Sequence, residues 1–242
     1  MPMPRICYAI FFALLPVLGM AQEASHKDTD VDSFSSLNDY FQEGHFNAHT
    51  RSYYMHTLNE GALTDFYALT TGAGIGYESP SYKGFGFALN GFFIFRVASS
   101  PLAEADPITG KRSRYELQLL DVTHPENGED LDRLEEAYIY YKKKQLEVHL
   151  GRVDITTPFI NPQNSRMRPS LEEGVVITDA VSEHLRFTSA WLWAMSPRST
   201  ILWYPQAQSI GLYGQGLTLE GEPGNYRFNT NSKGIGLSLI HI

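Results

Sequence analysis

Cysteine is almost missing from this chain. The single one, Cys7, has no partner, so no disulfide can staple the fold. Long apolar runs are also missing. The longest lies at 6–18, and nothing after it approaches the roughly 18 apolar residues of a membrane-spanning helix, which excludes a helical membrane protein. No segment after residue 45 carries a helical period of any length. There is no internal repeat, so a propeller or solenoid is not expected. Lys and Arg number 19 against 27 Asp and Glu, a net charge of −8, and no basic cluster stands ready to neutralise phosphates, so no nucleic-acid partner is expected. The chain also lacks H-E-x-x-H and G-x-S-x-G.

What is present is concentrated in aromatics and glycine: 14 Tyr, 14 Phe and 20 Gly. Richness in Gly and aromatics with modest hydrophobicity is the composition of large barrels. The first residues are a different material. "MPMPRICYAIFFALLPVLGMA" (1–21) has one cation, an apolar run and a small-x-small end, which predicts a secretory signal peptide containing Cys7. The exported chain would then have no cysteine and must be held by its own sheet or by a membrane. Residues 22–45 read as a polar lead-in, in which His26, Asp28, Asp30 and Asp32 are solvated rather than metal-bound.

From residue 46 the chain alternates. "FNAHTRSYYMHT" (46–57), "DFYALTTGAGIGYES" (65–79) and "GFGFALNGFFIFRV" (84–97) run 12–15 residues, against about five or six for soluble strands. Strands tilted across a bilayer need about 9–11. In the third run Phe85, Phe87, Leu89, Phe93, Phe95 and Val97 share one face, with Arg96 on the other. "LQLLDV" (117–122) is read as a continuation of a strand. "AYIYYKKKQLEVHLG" (137–151) is read as a hairpin with Leu146, Val148 and Leu150 toward lipid and Glu147 and His149 toward water. Tyr138, Tyr140 and Tyr141 are placed at the interface, where an aromatic ring sits apolar and its tip wet. Further runs are read at 175–181, 185–195, 201–204, 209–221 and 225–239. Short turns alternate with long loops at 98–116, 123–136 and 155–174, the asymmetry of an antiparallel transmembrane β-barrel.

Several separated motifs, in order, carry a resemblance. "FNAHTRSYYMHTLNEGALTDFYALTTGAGIGYESP", "LNGFFIFRVASSPLAEADPITGKRSRYELQLLDVTHPEN", "DLDRLEEAYIYYKKKQLEVHLGRVDITTPFINPQNSRMRP" and "SPRSTILWYPQAQSIGLYGQG" resemble the OprD-like outer-membrane porins, in particular a Bacteroidetes-type branch. The resemblance covers about 46–216. It implies a barrel of about 18 antiparallel strands and uptake of amino acids, short peptides and other carboxylates. It also implies inward basic residues that pass carboxylates along the pore, and loops folded in as an eyelet. This chain carries roughly ten strand runs. Its end, "LSLIHI", lacks a terminal aromatic and resembles translated adapter sequence, so 46–242 is expected to be the N-terminal part of a longer barrel.

Under that resemblance, Arg51, Arg96, Arg114, Arg166 and Arg168 are the candidate carboxylate contacts, with Arg152 and Arg198 as weaker ones and Glu147 and His149 as lumen-lining partners. A guanidinium stays charged and can hold both carboxylate oxygens. Arg96 faces the lumen by parity, because a charge on the lipid face costs about 2–4 kcal/mol. Arg152 is read as an interfacial anchor. Arg166 and Arg168 lie in "NPQNSRMRP", a Pro-bounded loop that can fold inward. Asp130, Asp132, Glu135 and Glu136 are read as loop acids, without calcium-loop spacing. No cofactor and no metal are expected. The expected partners are small solutes, outer-membrane lipid and the barrel-assembly machinery, with monomer and trimer both open. Rival readings are a non-specific porin, a barrel hydrolase built on Ser52 with His49, His56 or His149, and a secreted soluble β-protein that binds sugars through exposed aromatics.

Overall fold

The computed structural model describes residues 36–162, 166–209, 212 and 231–241. The expected signal peptide, most of the lead-in, most of the run at 209–221 and the first part (225–230) of the run at 225–239 lie outside the described residues.

The described chain is one antiparallel sheet. Its strands are β1 (His45–Thr57), β2 (Phe66–Glu78), β3 (Phe85–Ser99), β4 (Arg133–Lys143), β5 (Leu146–Val153), β6 (Leu171–Ser182) and β7 (Leu185–Ser196). Each pairs with its sequence neighbour. Two further strands, β8 (Tyr204–Pro205) and β9 (Ile235–His241), both pair with β7. The sheet is open, with β1 at one edge. A six-residue helix, α1 (Leu37–Gln42), precedes β1, capped by the Ser36 hydroxyl, which accepts from the Asp39 amide. The end of the lead-in thus forms a short helix, which its polarity did not announce; His26, Asp28, Asp30 and Asp32 lie outside the described residues.

Connections alternate in length as expected. β4 and β5 are joined by Lys144-Gln145 and β6 and β7 by Glu183-His184. Before β3, Lys83 and Gly84 both take positive φ (52° and 86°), while Tyr82 and Phe85 exchange backbone hydrogen bonds of 2.8 and 3.0 Å. Two positive-φ residues match the right-handed twist of the flanking strands. At the opposite end run the long segments 100–132 and 154–170.

One expectation fails along the way. "LQLLDV" is no strand: Glu116–Leu119 is a 3-10 helix whose Leu117 and Leu119 are buried. The end of the run read at 225–239 is a strand and extends to residue 241: β9 pairs in register with β7 from Arg186↔His241 to Leu192↔Ile235. The unpaired N–H and C=O groups of the β7 edge take that partner whatever its side chains.

The sheet's faces differ sharply. One face carries Phe46, Ile75, Phe85, Phe93, Phe95, Ile139 and Trp191, all large and exposed; Ile75 and Phe95 are each 60% open. The other carries Gly72, Gly74 and Gly76, then Thr70, Asn90, Glu147 and Thr178. Glycine is needed there. A Cβ on Gly74 would sit 2.3 Å from the His49 ring, which stacks on Phe92 at 5.2 Å. The long segments fold back over this second face. Leu102, Leu117, Leu119, Leu120, Leu131 and Met167 pack on Phe66, Ala68, Phe92 and Ile94, with Tyr53 and Met55 of β1 beside them. The core is thus a plug of loops against the inner wall, and among the described residues the large apolar side chains of the outer wall stay exposed.

Candidate functional site

The inner face has a filled half and an open half. In the filled half, two arginines gather three loops. Arg133 donates to Glu135 (2.9 Å), Ser196 Oγ (2.9 Å) and the Pro169 carbonyl (2.7 Å). Arg168 donates to the carbonyls of Leu131 and Thr200. Both are buried, and Arg168 is only 1% exposed. Burial, then the neighbouring Arg133, disfavours the charged form of Arg168 and lowers its pKa. Arg168 thus ties loops together and reaches no open space, although its loop does fold inward.

Arg51 faces inward and donates to the carbonyl of Arg166 at 2.8 Å, so β1 holds the 154–170 segment. Arg166 is half-buried, its Nε 3.5 Å from Gln118 Oε1. Arg96 is exposed on the inner parity of β3, paired with Thr70. Its guanidinium lies across Gly128, where a Cβ would meet it at 2.2 Å. Arg114 is exposed on the 100–132 segment, over the Tyr115 ring at 5.6 Å. Arg152 points outward, bonded to Glu173 (3.0 Å) and lying 4.5 Å from the Trp203 ring; Trp193 Nε1 donates to the same Glu173. Of the loop acids, Glu135 is taken by Arg133, while Asp130 shares a hydrogen bond with Asp132 that raises its pKa.

The open half lies on β5, β6, β7 and β9. Glu147, Thr178, Thr188 and Leu239 stand in register in one row. With His149, Arg186 and His241 they line a recess of about 810 Å³. His149 sits 2.6 Å from Glu147 and stacks on Tyr138 at 4.7 Å; Lys142 joins Glu147 at 3.4 Å. Strand spacing puts Arg186 roughly 10 Å across and 7 Å along from Glu147. The recess therefore has the Arg186 cation on one side and the Glu147–His149–Lys142 cluster on the other. At its upper rim the Asp154 carboxyl is pushed up, by burial and then by Glu135.

Tyr138 and Tyr140 do not mark an interface. Both point inward, and Tyr140 is buried with its hydroxyl donating to the Ser79 carbonyl at 2.7 Å. Tyr141 alone points outward, 4.7 Å from the Phe85 ring. Sequence reasoning missed Arg133 and Arg186. Arg186 was within reach, since it alternates with Thr188 and Ala190 on the small, polar side of β7. Among the described residues, no three His, Cys, Asp or Glu converge as metal ligands.

No family model and no curated protein matches the chain. Solved structures do. Pseudomonas aeruginosa OccK9 (OpdG) aligns with a TM-score of 0.55 at 16% identity, over 68% of this chain and 41% of that one. Acinetobacter baumannii OccAB1 aligns at 0.53 and 15%, over 74% and 39%. Pseudomonas aeruginosa OpdK, solved with vanillate, aligns at 0.51 and 14%, over 68% and 40%. This chain spans about two-fifths of their length. At these identities the shared property is the fold: the antiparallel wall of an OprD/Occ-type porin barrel.

Proposed function

We propose that this chain forms part of the wall of an outer-membrane porin through which small solutes diffuse passively, with selectivity for carboxylate-bearing molecules such as amino acids and peptides. The observation that carries the reading is the two-faced sheet. Large apolar side chains stand exposed on the outer face, while the inner face is polar, glycine-rich and half-filled by loops. In water such an outer face is an aggregation hazard; in hydrocarbon it is solvated. Carboxylate selectivity is supported by the inner-face cations Arg96 and Arg186, and by the vanillate, a carboxylate, found with OpdK. Several weak contacts serve passage better than one tight site.

The hydrolase rival is disfavoured by geometry: His49 and His149 face inward, away from Ser52, and His56, on the same face as Ser52, stands four residues along β1, about 13 Å away. Ser52 faces outward, bonded to Thr71 at 2.9 Å, whereas His49 faces inward on Phe92. A serine and its base on opposite faces of one strand cannot exchange a proton. The reading makes the protein a channel without covalent chemistry or cofactor, exported to the outer membrane and inserted by the barrel-assembly machinery.

The test is reconstitution in planar bilayers of the chain and of any longer product of its gene. Stepwise conductance, reduced by glutamate or other carboxylates, is expected. Conductance indifferent to carboxylates would leave a general porin. No conductance from any product would overturn the channel.

A further inference from the structure

The short-turn end of the outer face holds a groove of about 600 Å³ between α1 and the β3–β4 wall, lined chiefly by Leu37, Tyr40, Tyr82, Phe85, Phe87 and Ile139. That is a normal volume for a small-molecule cleft. Phe87 and Ile139 are register partners, and Phe85 and Ile139 are also part of the exposed apolar band, so the groove opens onto the face that the porin reading, on which this inference rests, puts in hydrocarbon. Two lysines stand at its short-turn end. The Lys142 amide donates to the Gly84 carbonyl at 2.7 Å and ties two turns side by side. Beside one turn is Lys83, and beside the other Lys143, which shares the outer face with Ile139 and Tyr141; both are exposed. Lys83 Nζ stands 5.2 Å from the ring of Tyr82, a groove-lining residue. Lys144 lines the recess on the inner face instead. The acids at α1 are Asp39 and Glu43.

We propose that this groove binds one anionic phospholipid, with an acyl chain along Phe85, Phe87 and Ile139 and the phosphate on Lys83 and Lys143. An apolar cleft continuous with the lipid-facing band, under a rim of lysines whose stems can lie on apolar surface, matches a phospholipid at both ends. A soluble protein partner would match the rim but not the position within the band.

The test is native mass spectrometry of the protein in dodecyl maltoside doped with equal dioleoyl-phosphatidylglycerol and dioleoyl-phosphatidylcholine. One phosphatidylglycerol is expected to be retained, favoured roughly ten-fold over phosphatidylcholine. Lys83→Gln/Lys143→Gln should bring the ratio to about one. Leu37→Glu, at an exposed position, should lower retention of both lipids. Millimolar inorganic phosphate should not displace the lipid. Equal retention of both lipids by the unaltered protein would overturn the proposal, as would displacement by phosphate. So would lipid binding that appears only after residues 22–35 are removed, which would make that acidic segment the occupant. None of these readouts uses a channel current, so the lipid site and the pore stand or fall separately.

Discussion

Arg133 and Glu135 form an ion pair at 2.9 Å, with side chains only 1% and 7% exposed, where three loops meet the inner wall. Removing one partner leaves a buried charge without its counterion. Arg133→Met should therefore destabilise the fold by about 3–5 kcal/mol. Arg133→Met/Glu135→Leu should lose less, because no charge is stranded. Urea unfolding in lipid bilayers measures both. A double variant as unstable as the summed singles would show that the pair is not coupled.

Phe93 lies near the middle of β3 on the outer face, and Thr178 lies on the inner face of β6. If hydrocarbon covers the outer face, Phe93→Arg costs about 2–4 kcal/mol, whereas Thr178→Arg costs little. Equal costs would contradict the assignment of lipid and water to the two faces. The same unfolding measurement decides it.

Gly74 is pressed by the His49 ring. Gly74→Val should cost about 1–3 kcal/mol through overpacking. Adding His49→Ala should restore much of that loss, since the ring is the obstacle. No rescue in the double variant would locate the cost in the backbone instead.

Lys144 holds φ at +53° in the β4–β5 turn. A non-glycine residue in that region is strained, so Lys144→Gly should be neutral or stabilise by up to about 1 kcal/mol. A Lys144→Val substitution should do the reverse, because a β-branched residue tolerates positive φ worst. Thermal unfolding of the three proteins gives the order.

Asp106 organises the 100–132 segment, accepting from the amides of Thr64 (2.7 Å), Ile108 (3.1 Å) and Thr109 (2.7 Å). The Thr109 amide, then that of Thr64, holds its carboxyl well below the usual aspartate range. A depressed folded pKa stabilises fully above the ordinary aspartate value of about 3.9 and is lost as pH falls below it. Exchange protection of the Thr109 amide should fall with acidification in that window. In Asp106→Asn it should be lower at neutral pH and indifferent to the same change.

How much could be read in advance varies by element. The alternation of Phe93 and Phe95 with Ile94 and Arg96 is written into consecutive residues, because a strand turns each side chain to the opposite face. The inward arginine of β1 was ambiguous, since Arg51 shares its face with Tyr53 and Met55; those two pack on the loop core, which no local pattern announces. Tyr138 and Tyr140 were misplaced because aromatic clustering suits an interface and a lumen wall equally well. Arg168 was expected at an open constriction. Its partners Leu131 and Thr200 lie 37 and 32 residues away, and only the meeting of three loops buries it.

The sequence by itself determined the wall: long alternating strands, short turns at one end, long loops at the other, and one apolar face. Those properties are local, set by a period of two residues and by which side chains tolerate hydrocarbon. Tertiary structure alone decided what the inner face does. It chose which cations tie loops, such as Arg133 and Arg168, and which line the open recess, such as Arg186. It also gave β7 its partner in β9. These outcomes depend on contacts between residues far apart in the chain, whose unpaired carbonyls, amides and charges must be satisfied wherever folding brings them.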